Sequence, residues 1–136
     1  MTNAQQARAT LSNGRQILDQ ATRELAAIKE RSDKMRLPLR SAAVTGWLAM
    51  AHAASAVLLR HGQEPIRDEA DIRRVKKVAS TPAEKRVATL ASKLARSLYA
   101  DLWRRNLGTR QSATLALRNV RRAVDTLESE LERKSS

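Results

Sequence analysis

Apolar residues recur at steps of three and four along almost the whole chain. That spacing selects α-helices over strands, whose apolar face repeats every second residue. The first stretch reads Leu11, Gly14, Leu18, Ala21, Leu25 and Ile28, with Ile17 widening the stripe. It predicts a helix over 4–31, stopped by the polar turn Arg31-Ser32-Asp33-Lys34. The second reads Leu39, Ala43, Gly46, Met50, Ala53 and Val57 beside Trp47 and Leu58, a helix over 38–61. Pro38 suits its first turn, where a missing N–H costs nothing, and Gly62 suits its end. Ile66, Ala70, Ile72, Val75 and Val78 give a ragged stripe, a shorter helix over 65–79. Ser80-Thr81-Pro82-Ala83-Glu84 is the clearest start signal: a capping Thr81, Pro82 at the first position and Glu84 to complete a capping box. Val87, Leu90, Leu94, Leu98 and Leu102 then predict a helix over 82–106, stopped by Asn106-Leu107-Gly108. Ala113, Leu117, Val120, Val124, Leu127 and Leu131 predict the last, over 110–132.

A chain of 136 residues is the size of one domain and long enough to bury a core without covalent staples. With 4 Gly, 3 Pro and no Phe it has few tight turns and little β-forming composition. The expected fold is all-α, an up-and-down bundle of four long helices plus one shorter helix, in a single domain over 1–136. The block Ser41–Leu59 holds no charged residue and has the length of a membrane span. It is diluted by Ser41, Thr45, Gly46, His52 and Ser55 and is otherwise mostly Ala, so it reads as a helix buried on most sides within the bundle. The opening residues Met1 to Arg8 carry no apolar secretory core. The expectation is a soluble cytoplasmic protein that engages no membrane.

The second helix runs Arg40-Ser41-Ala42-Ala43-Val44-Thr45-Gly46-Trp47 and closes with Ala56-Val57-Leu58-Leu59 before a Gly. Later come Ser97-Leu98-Tyr99-Ala100-Asp101-Leu102-Trp103, then Asn106-Leu107-Gly108 and a last amphipathic helix. Over about residues 4–131 this order of helices and small residues resembles HEPN-type helical bundles, most closely a small bacterial branch of them. The resemblance implies a bundle that commonly pairs as a homodimer. Members of the family are variously RNases, partners of minimal nucleotidyltransferases, or binders of nucleic acid or protein. Its enzymatic members carry an Arg followed after four to six residues by a His. Before His52 those positions are Thr45, Gly46 and Trp47, and before His61 they are Ala54, Ser55 and Ala56. No RNase residues carry over.

The residues themselves point away from catalysis. The absence of Cys excludes disulfides, thiolate metal sites and cysteine nucleophiles. His52 and His61 lack the spaced ligands of a metal site; only Glu64 stands near either of them. His52 reads as a hydrogen-bonded residue at a helix–helix or subunit contact, and His61 as a helix C-terminal residue favoured by the dipole. The apolar stripes hold no carboxylate, which removes a di-metal bundle, and Asp68, Glu69 and Asp71 read as first-turn acids. No phosphate loop or nucleophile elbow occurs. The expected set is no catalytic residue, no metal ligand and no cofactor, in a protein that is not an enzyme.

Charge remains. The chain carries +12, and residues 67–122 alone hold 15 Lys or Arg against 5 Asp or Glu. Three clusters stand out: Arg73, Arg74, Lys76 and Lys77; Arg104, Arg105 and Arg110; and Arg118, Arg121 and Arg122. Tyr99 and Trp103 adjoin the second, as a platform that could stack a base or as side chains packed on a neighbouring helix. These residues are the candidate surface for nucleic acid, RNA or DNA, or another acidic partner. Ala42, Gly46, Ala49 and Ala53 allow a close helix crossing, and with Trp47 as an anchor they are the candidate contact of a homodimer. The alternative expectation is a structural protein acting through helix-mediated dimerisation and a protein partner, without nucleic acid.

Overall fold

The computed structural model of the chain describes residues 1–28, 36–105 and 108–135, of which positions 36, 134 and 135 are described by backbone alone. Every regular element among these residues is helical: α1 (Asn3–Ala26), α2 (Arg36–Arg60), α3 (Ile72–Val78), α4 (Pro82–Leu94) with a π-helical continuation (Ala95–Arg104), and α5 (Arg110–Ser135). α1 starts in a capping box that the apolar spacing does not reveal. Thr2 accepts from the Gln5 N–H while the Gln5 side chain accepts from Thr2 N–H. Its helix ends at Ala26 rather than near 31, with Ala27 as C-cap; positions 29–31 and the expected turn after them lie outside the described residues.

α2 packs against every other helix, which explains why its sequence is apolar almost all round. Ala42, Ala43, Ala49, Met50, Ala53, Ala54, Ala56, Val57 and Leu58 are all buried. By length and composition Leu37–Arg60 would pass for a membrane span, and 67% of its most apolar window is covered by the rest of the chain. Two glycines set the crossings. A Cβ on Gly14 would stand 2.9 Å from His52 Cβ, so α1 approaches α2 closely there. A Cβ on Gly46 would stand 2.5 Å from Leu117 Cδ2 and 3.5 Å from Leu98 Cδ1, so α5 and the π-helical segment close over that point. α2 ends in a Schellman motif. Gln63 N–H donates to Leu58 O at 2.9 Å and Gly62 N–H to Leu59 O at 3.0 Å, with Gly62 at φ +74°.

The third helix is shorter than its stripe suggests. Residues 65–68 are not helical. Asp68 caps a 3-10 turn, Glu69–Asp71, by accepting from Ala70 N–H. Arg74 donates to the carbonyls of Glu64 and Pro65 at 3.1 and 3.2 Å, holding that segment extended against α3. α4 opens with the capping box expected of Thr81 and Glu84, with Pro82 in its first turn. Beyond Leu94 the backbone widens, and at its end Arg105 N–H reaches back five residues to Ala100 O at 3.0 Å. The expected end of this helix at 106 lies outside the described residues.

Candidate polyanion-binding surface

α3, α4 with its π-helical continuation, and α5 carry most of the cations, and the fold treats their acids and bases differently. Glu84, the one acid of α4, is fully buried. Its Oε1 accepts from Ser80 N–H and Ser80 Oγ, both at 3.0 Å, and His61 Nε2 lies 3.1 Å from each carboxylate oxygen. Arg60 reaches Glu84 at 3.4 Å and also pairs with the buried Glu130, which accepts from Thr81 Oγ1 at 3.0 Å. Burial pushes the Glu84 carboxyl up, but hydrogen bonds from Ser80 and His61 outweigh it and hold the group below its ordinary value. This network ties the end of α2 to the starts of α4 and the last turns of α5. His61, expected only to complement a helix dipole, is therefore also a partner of a buried carboxylate.

Of the other acids in residues 67–122, Asp71 and Asp101 are ion-paired, Asp68 caps a turn and Glu69 is exposed. Asp71 is kept below the usual carboxylate range, first by the Arg67 N–H and then by Arg74. Asp101 pairs with Arg105 at 3.8 Å. The bases are in large part left over. Among the described residues Arg73, Lys76, Lys77, Arg104, Arg110, Arg118 and Arg122 are exposed and lack a carboxylate within ion-pair distance. Arg74 is committed to Asp71 and two carbonyls, and Arg121 lies 3.9 Å from Asp19 on α1. These two cations of the expected surface serve the fold.

Four more cations belong with the free set. Lys85, Arg86, Lys93 and Arg96 are exposed on α4 and its continuation, again without a carboxylate partner among the described residues. Clustering along the sequence passes over them because only Lys85 and Arg86 are adjacent, with Lys93 and Arg96 further along the helix. Their helical spacing was the signal that could have found them.

The aromatic pair is packed. The Tyr99 ring lies 6.0 Å from Trp47 and 5.2 Å from Trp103, with the Arg104 guanidinium 5.9 Å over it. Tyr99 and Trp103 sit half-buried against the core, and Arg40 donates to Trp103 O at 2.9 Å. The Tyr99 ring is thus packed among Trp47, Trp103 and Arg104, the arrangement of the packed alternative. The expected dimer contact is corrected in the same way. Ala42, Gly46, Trp47, Ala49 and Ala53 are buried inside the single chain, and the close crossing that Gly46 permits is with Leu117 and Leu98 of the same molecule. A second copy could reach those residues only by opening the bundle. His52 is hydrogen-bonded within its own helix, its Nδ1 2.7 Å from Leu48 O, where Gly14 of α1 crosses closely. Among the described residues no cluster of His, Asp and Glu has the composition of a metal site.

Compared with protein-family models, curated proteins and solved structures, the chain matches none.

Proposed function

We propose that this chain is a non-catalytic binding module whose basic surface, spread over α3, α4 and α5, engages nucleic acid. The observation that carries the reading is the sorting of charges in residues 67–122. Glu84 is buried and Asp71 and Asp101 are ion-paired, leaving Asp68 and Glu69 as the exposed acids, whereas most bases point to solvent without a carboxylate partner among the described residues. A surface so composed presents an unneutralised positive field, which attracts a polyanion and releases its counterions on binding. An acidic protein is the other class of partner such a field attracts.

The module is proposed to be HEPN-like, an up-and-down bundle of four long helices and one shorter, working in the cytoplasm as a homodimer that doubles the basic surface. The small residues of α2 are used within the chain. Met1, Leu37, Leu48 and Leu115 are the large apolar side chains left exposed among the described residues. Leu37 and Leu48 on α2 favour the second reading, an interaction protein that pairs through helices and ignores nucleic acid.

Size exclusion with light scattering, recording absorbance at 260 and 280 nm at low and high salt, separates the two. The binding module predicts nucleic acid that co-elutes at low salt and is stripped at high salt, on a particle of twice 15.1 kDa. A dimer free of nucleic acid at both salts favours the interaction protein and contradicts the binding reading.

A further inference from the structure

Within the basic half, one helix face is free of acids. The exposed residues of α4 and the first turn of its continuation include Lys85, Arg86, Thr89, Lys93 and Arg96, and the only carboxylate there, Glu84, is buried. Steps of four, four and three place Lys85, Thr89, Lys93 and Arg96 along one face, with Arg86 on its flank. At the rise of an α-helix this row spans about 16 Å. The other basic groups are diluted. Arg73, Lys76 and Lys77 follow the exposed acids Asp68 and Glu69, and Arg118 and Arg122 precede the exposed Asp125.

Folding gives no reason for the α4 row. None of its four cations makes an ion pair or side-chain hydrogen bond among the described residues. Lys85 and Arg86 follow directly on the first turn of α4, the end at which the helix dipole favours negative charge. Lys93 and Arg96, three apart, repel each other. An arrangement that is self-repelling and contributes no ion pair to the fold is what a ligand-facing row looks like.

We propose that this face of α4 follows the sugar–phosphate backbone of a nucleic-acid duplex and contacts phosphates rather than bases. The proposal rests on the binding reading above and names its surface and ligand class. Duplex is favoured over single strand on two grounds. The row itself carries no aromatic side chain, and Tyr99 is packed against Trp47 and the half-buried Trp103, so the row offers no stacking platform of the kind single-strand binders use. A duplex also carries one negative charge per ~1.7 Å of axis over its two strands, twice the density of either strand along that axis, so it offers this row the denser phosphate field.

The test is fluorescence anisotropy of the full chain with a short labelled DNA duplex, an RNA duplex and a single strand, each of arbitrary sequence, across a salt series. Three proteins are compared: wild type, Lys85→Gln/Arg86→Gln/Lys93→Gln/Arg96→Gln, and the control Arg73→Gln/Lys76→Gln/Lys77→Gln. The pairs Lys85→Gln/Lys93→Gln and Arg86→Gln/Arg96→Gln serve if the fourfold variant folds poorly. Wild type should hold duplex about tenfold more tightly than single strand. The fourfold variant should lose about a hundredfold in duplex affinity and about 3 to 4 from the slope of log K against log salt, each pair about half of that slope, the control less. The DNA and RNA arms identify which duplex is bound. A fourfold variant within threefold of wild type overturns the assignment to α4 and leaves the binding reading standing. Equal or tighter binding of single strand overturns the duplex assignment. Wild type that binds none of the three overturns the binding reading and this proposal with it.

Discussion

Glu84→Gln probes the buried network that joins α2, α4 and α5. The wild-type carboxylate has no exposed surface, accepts two hydrogen bonds from Ser80 at 3.0 Å, and faces His61 at 3.1 Å and Arg60 at 3.4 Å. Gln retains one oxygen for the Ser80 bonds, but its amide N–H groups then confront the donors of Arg60 and His61. Removing one partner of a buried ion pair typically costs about 3–5 kcal/mol. Arg60 keeps Glu130 and is 16% exposed, which lowers the expectation to about 2–3 kcal/mol. Urea denaturation at pH 7, followed by the fluorescence of Trp47 and Trp103, should show that loss as a lower midpoint with an unchanged slope. The pH dependence gives a second readout. The folded Glu84 carboxyl lies below its ordinary 4.5, so its stabilisation is complete above that pH and disappears as pH falls through the folded value. The gap between wild type and variant should therefore be constant from pH 7 to 5 and shrink below about 4.5. A loss under ~0.5 kcal/mol at pH 7, or a gap that stays constant into acid, would refute the reasoning.

Three further outcomes are expected. Gly62→Ala, at φ +74°, should cost about 1–2 kcal/mol in the same urea assay, because a Cβ is disfavoured in the left-handed region; no loss would mean that the Schellman turn does not constrain the end of α2. Gly46→Leu should destabilise by at least 1–3 kcal/mol, its side chain entering the space of Leu117 Cδ2. Light scattering should give the folded variant the same mass as wild type, since that crossing lies within one chain; a change from dimer to monomer would place Gly46 between copies after all. Arg104→Gln/Arg105→Gln should leave the urea midpoint within ~0.5 kcal/mol of wild type, as both side chains are exposed, and should lower the salt slope of nucleic-acid binding by about 1–2.

Helix positions were legible because apolar spacing and caps are local signals. Thr81, Pro82, Glu84 and Gly62 each act within a few residues of themselves, and the backbone uses them as their chemistry suggests. What lies between helices was less legible. Gly46 and its small neighbours announce a close crossing but not its partner, and the sequence cannot distinguish Leu117 of the same chain from a second copy. Glu84 reads as a capping acid, and only the fold brings Arg60, His61 and Glu130 to it from 24, 23 and 46 residues away. The widening at Ala95–Arg104 has no Gly or Pro to mark it. The α4 row was readable in principle, but runs of adjacent bases such as Lys76-Lys77 draw notice before cations spaced along a helical face.

The central claim is that the unpaired cations of α3 to α5 form a surface for nucleic acid, and the salt dependence of duplex binding by the wild-type chain tests it most directly. Binding with a slope of log K against log salt of about −4 or steeper is the result the account predicts, since each neutralised phosphate contributes about −0.9. Absence of binding at low salt, or affinity indifferent to salt, would contradict it and reduce the charge to a solvated surface.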